Sequence, residues 1–118
     1  MKKFELFLGC LGNGTTVCNK AVEVNGDYKT IAHISEGGNI KFYISESSIP
    51  SDAMERIKEV AARDKAKFQA DFEKFPVRTQ YMRIMDRVSY DKFREFADDK
   101  RTLEEKLPDM RKHYYTIV

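Results

Sequence analysis

The residues of this chain that could do acid–base, nucleophilic or metal chemistry are few, and their spacing does not assemble a site. The two histidines, His33 and His113, stand in distant segments, and no serine has a nucleophile-elbow context. Together with Cys10 and Cys18 they could supply four zinc ligands, but a structural zinc site takes paired ligands about two to four residues apart, and no such pair occurs. Gly9-x-x-Gly12-x-Gly14 has the composition of a phosphate loop without the Lys-Ser/Thr and the helix that a phosphate loop needs, so it reads as a hairpin turn. The expectation is a protein that is not an enzyme, with no catalytic residue, no metal and no cofactor. A loop centred on Gly14 would set Cys10 opposite Cys18, within reach of a disulfide. Without an export signal, two reduced, half-buried thiols are the expected state.

Charge and aromaticity offer more. Arg56, Arg63, Lys67 and Lys74 recur at helical pitch and fall within about 40° of one another, opposite an apolar stripe. Arg83 and Arg87 align away from the core of the next helix. Aligned cations meet nucleic-acid phosphates or an acidic protein, whereas a plain solvated helix face has the same look, and Asp52, Glu55, Glu59 and Glu73 dilute this one. Asp64 stands inside the apolar sector beside Val60, Ala61 and Phe68, so it must either reach water at the sector's edge or meet a partner. Phe7, Leu11 and Tyr43 point to the side of their strands opposite Phe42. They mark a partly apolar outer face that suits a protein partner or a homodimer.

All six glycines lie between Gly9 and Gly38, which splits the chain into turn-linked strands followed by helices. Residues 4–11 read as a first strand with Phe4, Leu6, Leu8 and Cys10 on one face. Residues 15–24 read as a second, whose alternation slips between Val17 and Val22 and so predicts a bulge or an unburied start. Asn25-Gly26-Asp27 is the strongest hairpin signal. Residues 28–35 place Tyr28, Thr30, Ala32 and Ile34 on one face, and residues 39–45 place Ile40, Phe42 and Ile44 inward. A common apolar face then requires odd loops, pairing Val24 with Tyr28, Val22 with Thr30, Ile34 with Ile40 and Ala32 with Phe42.

Helices are expected at about 51–75, 77–88 and 89–99, the first ended by Pro76. Thr102-Leu103-Glu104-Glu105 fits a capping box, but Pro108 should limit it to a turn, and the tail His113–Val118 has the composition of a fifth strand or a loosely packed end. The fold class is therefore α+β: one domain over residues 1–118, a four-stranded antiparallel meander over residues 4–45 covered on one face by two or three helices. With 34% charged residues, a net charge of +2, no apolar run of membrane-spanning length and an N-terminal stretch interrupted by Glu5, a cytoplasmic protein is expected, without a membrane partner.

The segments Gly14–Val24 and Asp27–Ile34, with Leu107-Pro108-Asp109-Met110-Arg111 and Tyr114-Tyr115, resemble small proteins without an assigned activity from conjugative and other mobile elements of gut Firmicutes. The resemblance implies an accessory product of a bacterial mobile element and brings no catalytic residue with it. The leading functional expectation is a non-enzymatic interaction protein that binds a protein partner or itself. The alternatives are a sequence-independent nucleic-acid binder using Arg56, Arg63, Lys67, Lys74, Arg83 and Arg87, and a small-molecule pocket between sheet and helices.

Overall fold

The structure is a computed structural model that describes residues 4–10 and 13–118. Strands β1 (Leu6–Cys10), β2 (Gly14–Val24), β3 (Asp27–Ser35) and β4 (Ile40–Phe42) form an antiparallel sheet in the order β1-β2-β3-β4. Helices α1 (Ser51–Phe72), α2 (Val77–Arg87), α3 (Tyr90–Asp98) and α4 (Leu103–Ile117) follow, so the fold class is the expected α+β. The chain divides into two compact units, Met1–Ala66 and Lys67–Val118, with α1 contributing to both.

In the first unit, the β2–β3 turn decides which residues face inward. Asn25 (φ 54°) and Gly26 (φ 84°) both adopt the left-handed backbone of a two-residue type I′ turn, pairing Val24 with Asp27 and Glu23 with Tyr28. The expected odd loop, with Val24 opposite Tyr28 and Val22 opposite Thr30, is therefore wrong. The strands then carry an irregularity where the slipping alternation of β2 predicts one. The register shifts between Asn19 and Glu23, where β2 carries extra residues, and again between Val17 and Cys18, where Ile31 of β3 is the extra residue. Ala32 and Ile34 consequently face the core as expected, and the bulged Ile31 joins them at 1% exposure. Tyr28 and Thr30, expected inward, are exposed.

The other two hairpins differ in how they match the sequence reading. β3 and β4 pair Ile34 with Ile40 and Ala32 with Phe42, as the odd loop centred on Gly37 predicts. β1 and β2 set Phe7 opposite Cys18 and Cys10 opposite Thr15, so the cysteines do not face each other. Both are free thiols, Cys10 exposed and Cys18 buried.

The inward face packs Val17, Ile31, Ala32 and Ile34 against Ile49 and against Ala53, Ile57, Val60 and Ala61 of α1. Gly38 (φ +81°) brings the β3–β4 turn onto that helix: a Cβ there would lie 2.5 Å from the Ala61 carbonyl oxygen and 2.6 Å from Lys65. Of the expected covering helices, α1 supplies this cluster, while α2, α3 and α4 share a core of their own.

That second core gathers Phe72, Ile84, Met85, Phe96, Leu107, Met110, Tyr114 and Val118. Its centre is aromatic: the Phe72 and Tyr114 rings lie 4.9 Å apart, and Phe68 lies 6.1 Å from each of them. α1 stops at Phe72, three residues short of the expected end. The residue before Pro76 is pushed out of helical backbone, and tighter bonds from Lys74 to Asp71 and from Phe75 to Phe72 close the last turn. Thr102 and Glu105 form the expected capping box, but the helix it opens continues through Pro108 to Ile117, so the tail is neither a turn nor a fifth strand. Pro108 is exposed, and the Glu104 carbonyl it cannot satisfy belongs to an exposed residue that water can reach. Leu107, Met110 and Tyr114 bury at helical spacing, and that packing overrides the strand propensity of the tail.

The two positive-φ glycines separate conformational strain from close approach. Gly26 has nothing within 4 Å of a built Cβ, so Gly26→Ala should cost about 1 kcal/mol from backbone strain alone. Gly38→Ala adds a collision with α1 and should cost more than about 2 kcal/mol in urea-unfolding measurements.

Candidate functional site

His33 lies in the first unit and His113 in the second, where its ring stands 6.1 Å from that of Phe96. Among the described residues, no group of three His, Cys, Asp or Glu could hold a metal ion, and no helix is long and apolar enough to cross a membrane.

The buried polar groups of the second unit serve helix ends. Lys106 is 8% exposed, and its Nζ donates to the carbonyls of Phe96 (2.9 Å) and Asp99 (3.3 Å) at the end of α3, 5.3 Å from the Tyr81 ring centroid. A cation there meets the negative end of the helix dipole. Gln80 does the same for the end of α1. Its Nε2 donates to the carbonyls of Phe75 (2.8 Å) and Glu73 (3.3 Å), and its Oε1 accepts from Arg111 Nη1 at 2.9 Å. Arg111 Nε also reaches Glu73 at 3.5 Å. Beside this network burial pushes the Tyr115 phenol up to about 12, with the negative charge of Glu73 acting in the same direction.

The cationic set spans α1, the segment after it and α2. Arg56 and Arg63 belong to the first unit, and Lys67, Lys74, Arg83 and Arg87 to the second. Arg56 is paired with Glu59 at 2.9 Å. Lys74 lies beyond the end of α1 and sits 3.7 Å from Asp71, and Arg83 stacks on Phe75 with its guanidinium 4.4 Å from the ring centroid. Arg63, Lys67 and Arg87 are exposed without an ion pair among the described residues. Asp64 is half-buried and likewise without one, in keeping with a place at the sector's edge. A cleft of about 290 Å³ lies between the segment at Phe4–Leu6 and the start of α1, lined also by Pro50, Asp52, Ala53 and Arg56. Its size falls at the small end of ligand sites, which run from roughly 300 Å³ upward.

The outer face of the sheet concentrates unusual chemistry. Phe7 (39% exposed) and Tyr43 (54%) are where the sequence placed them, while Leu11 lies outside the described residues. The β2–β3 register adds Tyr28 (45%), whose ring stands 5.8 Å from that of Phe7. Lys20 Nζ lies over both rings, 4.8 Å from Phe7 and 5.4 Å from Tyr28, and Lys41 Nζ lies 5.5 Å from Tyr43. Two glycines let rings lie against the strands: a Cβ at Gly9 would be 3.3 Å from the Phe7 ring, and one at Gly14 would be 3.1 Å from that of His33. Sequence reasoning missed Tyr28 and Lys20 because both depend on the register shifts of β2. The chain matches no known family, and no curated protein or solved structure is similar to it.

Two outcomes test the structural roles assigned to the second unit. Lys106→Met keeps the apolar stem but leaves the α3 carbonyls without their donor, and should cost roughly 1–3 kcal/mol by chemical denaturation. The Tyr115 phenol has a folded pKa above its unfolded value near 10, so its contribution is complete below about pH 10 and is lost as pH rises through about 12. Ultraviolet difference titration should show one late-titrating phenol that disappears in Tyr115→Phe.

Proposed function

We propose that this chain is a non-enzymatic accessory protein of a bacterial mobile element, and that it binds its partner through the outer face of the four-stranded sheet. The mobile-element setting rests on the resemblance of Gly14–Val24, Asp27–Ile34 and the Leu107–Arg111 segment. The observation that carries the choice of surface is the cluster of exposed rings on that face, Phe7, Tyr28 and Tyr43, each with a lysine ammonium within 5.5 Å. Rings left in water beside cations contribute little to the core beneath them, and aromatic residues are the usual anchors of binding surfaces. The cationic helix set is the weaker reading, because its members are divided between two units and three of them are engaged by Glu59, Asp71 and Phe75.

The reading requires that the outer rings be dispensable for folding. Tyr43→Ser should change unfolding free energy by less than about 0.5 kcal/mol, whereas Phe42→Ser, one residue away on the inward face, should cost several times more. Light scattering on the same proteins reports self-association: a homodimer that Tyr43→Ser disrupts identifies a second copy as the partner. A stability loss for Tyr43→Ser equal to that of Phe42→Ser would make the outer face structural and overturn the reading.

A further inference from the structure

We infer that the outer face of the sheet is a platform for single-stranded nucleic acid, an inference that rests on the reading of that face as the binding surface. The register lays out the platform in rows. Phe7, Cys18 and Thr30 stand side by side on β1, β2 and β3. Tyr43, whose N–H donates to the Ile31 carbonyl at 2.8 Å, carries the row to the β4 edge. With neighbouring strands roughly 4.8 Å apart, Phe7 and Tyr43 mark the two ends of a path of roughly 14 Å. Between them lie only the short side chains of Cys18 and Thr30, whose Sγ and Oγ1 are 3.8 Å apart.

The neighbouring row consists of Gly9, Thr16, His33 and Lys41, with no carboxylate in it. Glu5, whose carbonyl accepts from the Lys20 N–H, falls on the other side of the ring row. A strand whose bases stack on the ring row would run its phosphates along Lys41 and His33. Lys20, over Phe7 and Tyr28, is placed to leave the rings for a phosphate when a base takes its position.

A low sheet surface with upturned rings selects single strands, because a duplex keeps its base faces stacked inside and offers only its backbone. Of the helix cations, Arg56 and Arg63 stand on α1, which packs on the opposite, inward face of the sheet.

Fluorescence anisotropy with a labelled mixed-sequence oligonucleotide tests the inference, using the single strand as DNA, the same strand as RNA, and the DNA duplex. Wild-type protein is expected to bind single strands at least tenfold tighter than duplex, the DNA and RNA arms showing which sugar is preferred. Tyr43→Ala should weaken single-strand binding about tenfold. Lys41→Ala should make the salt dependence shallower by about 0.7 in log–log slope. Arg63→Ala and Lys67→Ala should leave the affinity unchanged. Equal affinity for duplex, or binding lost in the Arg63 and Lys67 variants but not in Tyr43→Ala, would overturn both this inference and the outer-face reading. Absence of all nucleic-acid binding, together with a homodimer that Tyr43→Ser disrupts, would overturn this inference alone and leave the face as a protein interface.

Discussion

The two-residue turn at Asn25-Gly26 is the constraint on which the first unit depends. Its left-handed backbone matches the twist of the flanking strands and fixes Val24 opposite Asp27. Continued without interruption, that register would set Val17 opposite Ile34 and keep Tyr28 on the face of Ala32 and Ile34, because a face changes only with an odd slip. The bulge at Ile31 and the extra residues of β2 between Asn19 and Glu23 each reverse the face of one strand, so that Val17 meets Ala32, Thr15 meets Ile34 and Tyr28 turns outward. Asn19 holds the larger irregularity in place: its side-chain oxygen accepts from the backbone of both Glu5 and Ala21 at 3.0 Å. A buried asparagine thus satisfies amides that the disturbed ladder cannot, and ties β1 to the bulge. The turn and the two irregularities together set the core on one side and bring Tyr28 and Lys20 beside Phe7 on the other.

Each unit is closed by a different device. In the first it is absence of a side chain, since Gly38 lets the β3–β4 turn lie directly on the backbone of α1. In the second it is polar side chains that finish helices whose own sequence provides no C-terminal glycine. Lys106 takes the last carbonyls of α3 and Gln80 takes those following α1. An unsatisfied buried carbonyl costs about 1–3 kcal/mol, so these contacts are worth more to the fold than the exposed ion pairs of the same unit, which contribute at most about 1 kcal/mol each. Among the described residues, the buried charge of Lys106 thus serves as a helix cap.

What was legible in the sequence follows from which signals are local. Glycine distribution, strand alternation and the Thr102–Glu105 capping box each act over a few residues, and the strands, α2, α3 and the start of α4 stand where those signals put them. The tail was misread because Tyr114-Tyr115-Thr116-Ile117 has strand propensity and Pro108 opposes a helix. Burial of Leu107, Met110 and Tyr114 in a core assembled from distant segments outweighs both, and nothing within the tail itself reports that core. The candidate surface was half legible for the same reason. Phe7 and Tyr43 lie on regular stretches where alternation assigns the face, but Tyr28 lies beyond a bulge, where alternation fails. Of the cationic set, Arg56, Arg63 and Lys67 stand on α1 as the helical spacing predicts, while Lys74 falls past its end at Phe72.

The arrangement on the outer face is best understood through the magnitudes of its parts. A glycine inside a strand weakens it by roughly 0.5–1 kcal/mol, yet Gly9 stands within β1, where any Cβ would press on the Phe7 ring at 3.3 Å. The strand therefore tolerates a loss of stability at the position that lets that ring lie back along the sheet. Lys20 over the exposed Phe7 and Tyr28 rings gains only about 0.5–1 kcal/mol per contact. A base stacked on an aromatic side chain is worth about 1–3 kcal/mol. Exchanging the ammonium for a base is then favourable on the ring side, and the displaced ammonium regains a charge partner in the phosphate of the same strand. The lysine acts as a placeholder that covers the rings in the free protein, and the weakness of its hold is what leaves the face open to a ligand.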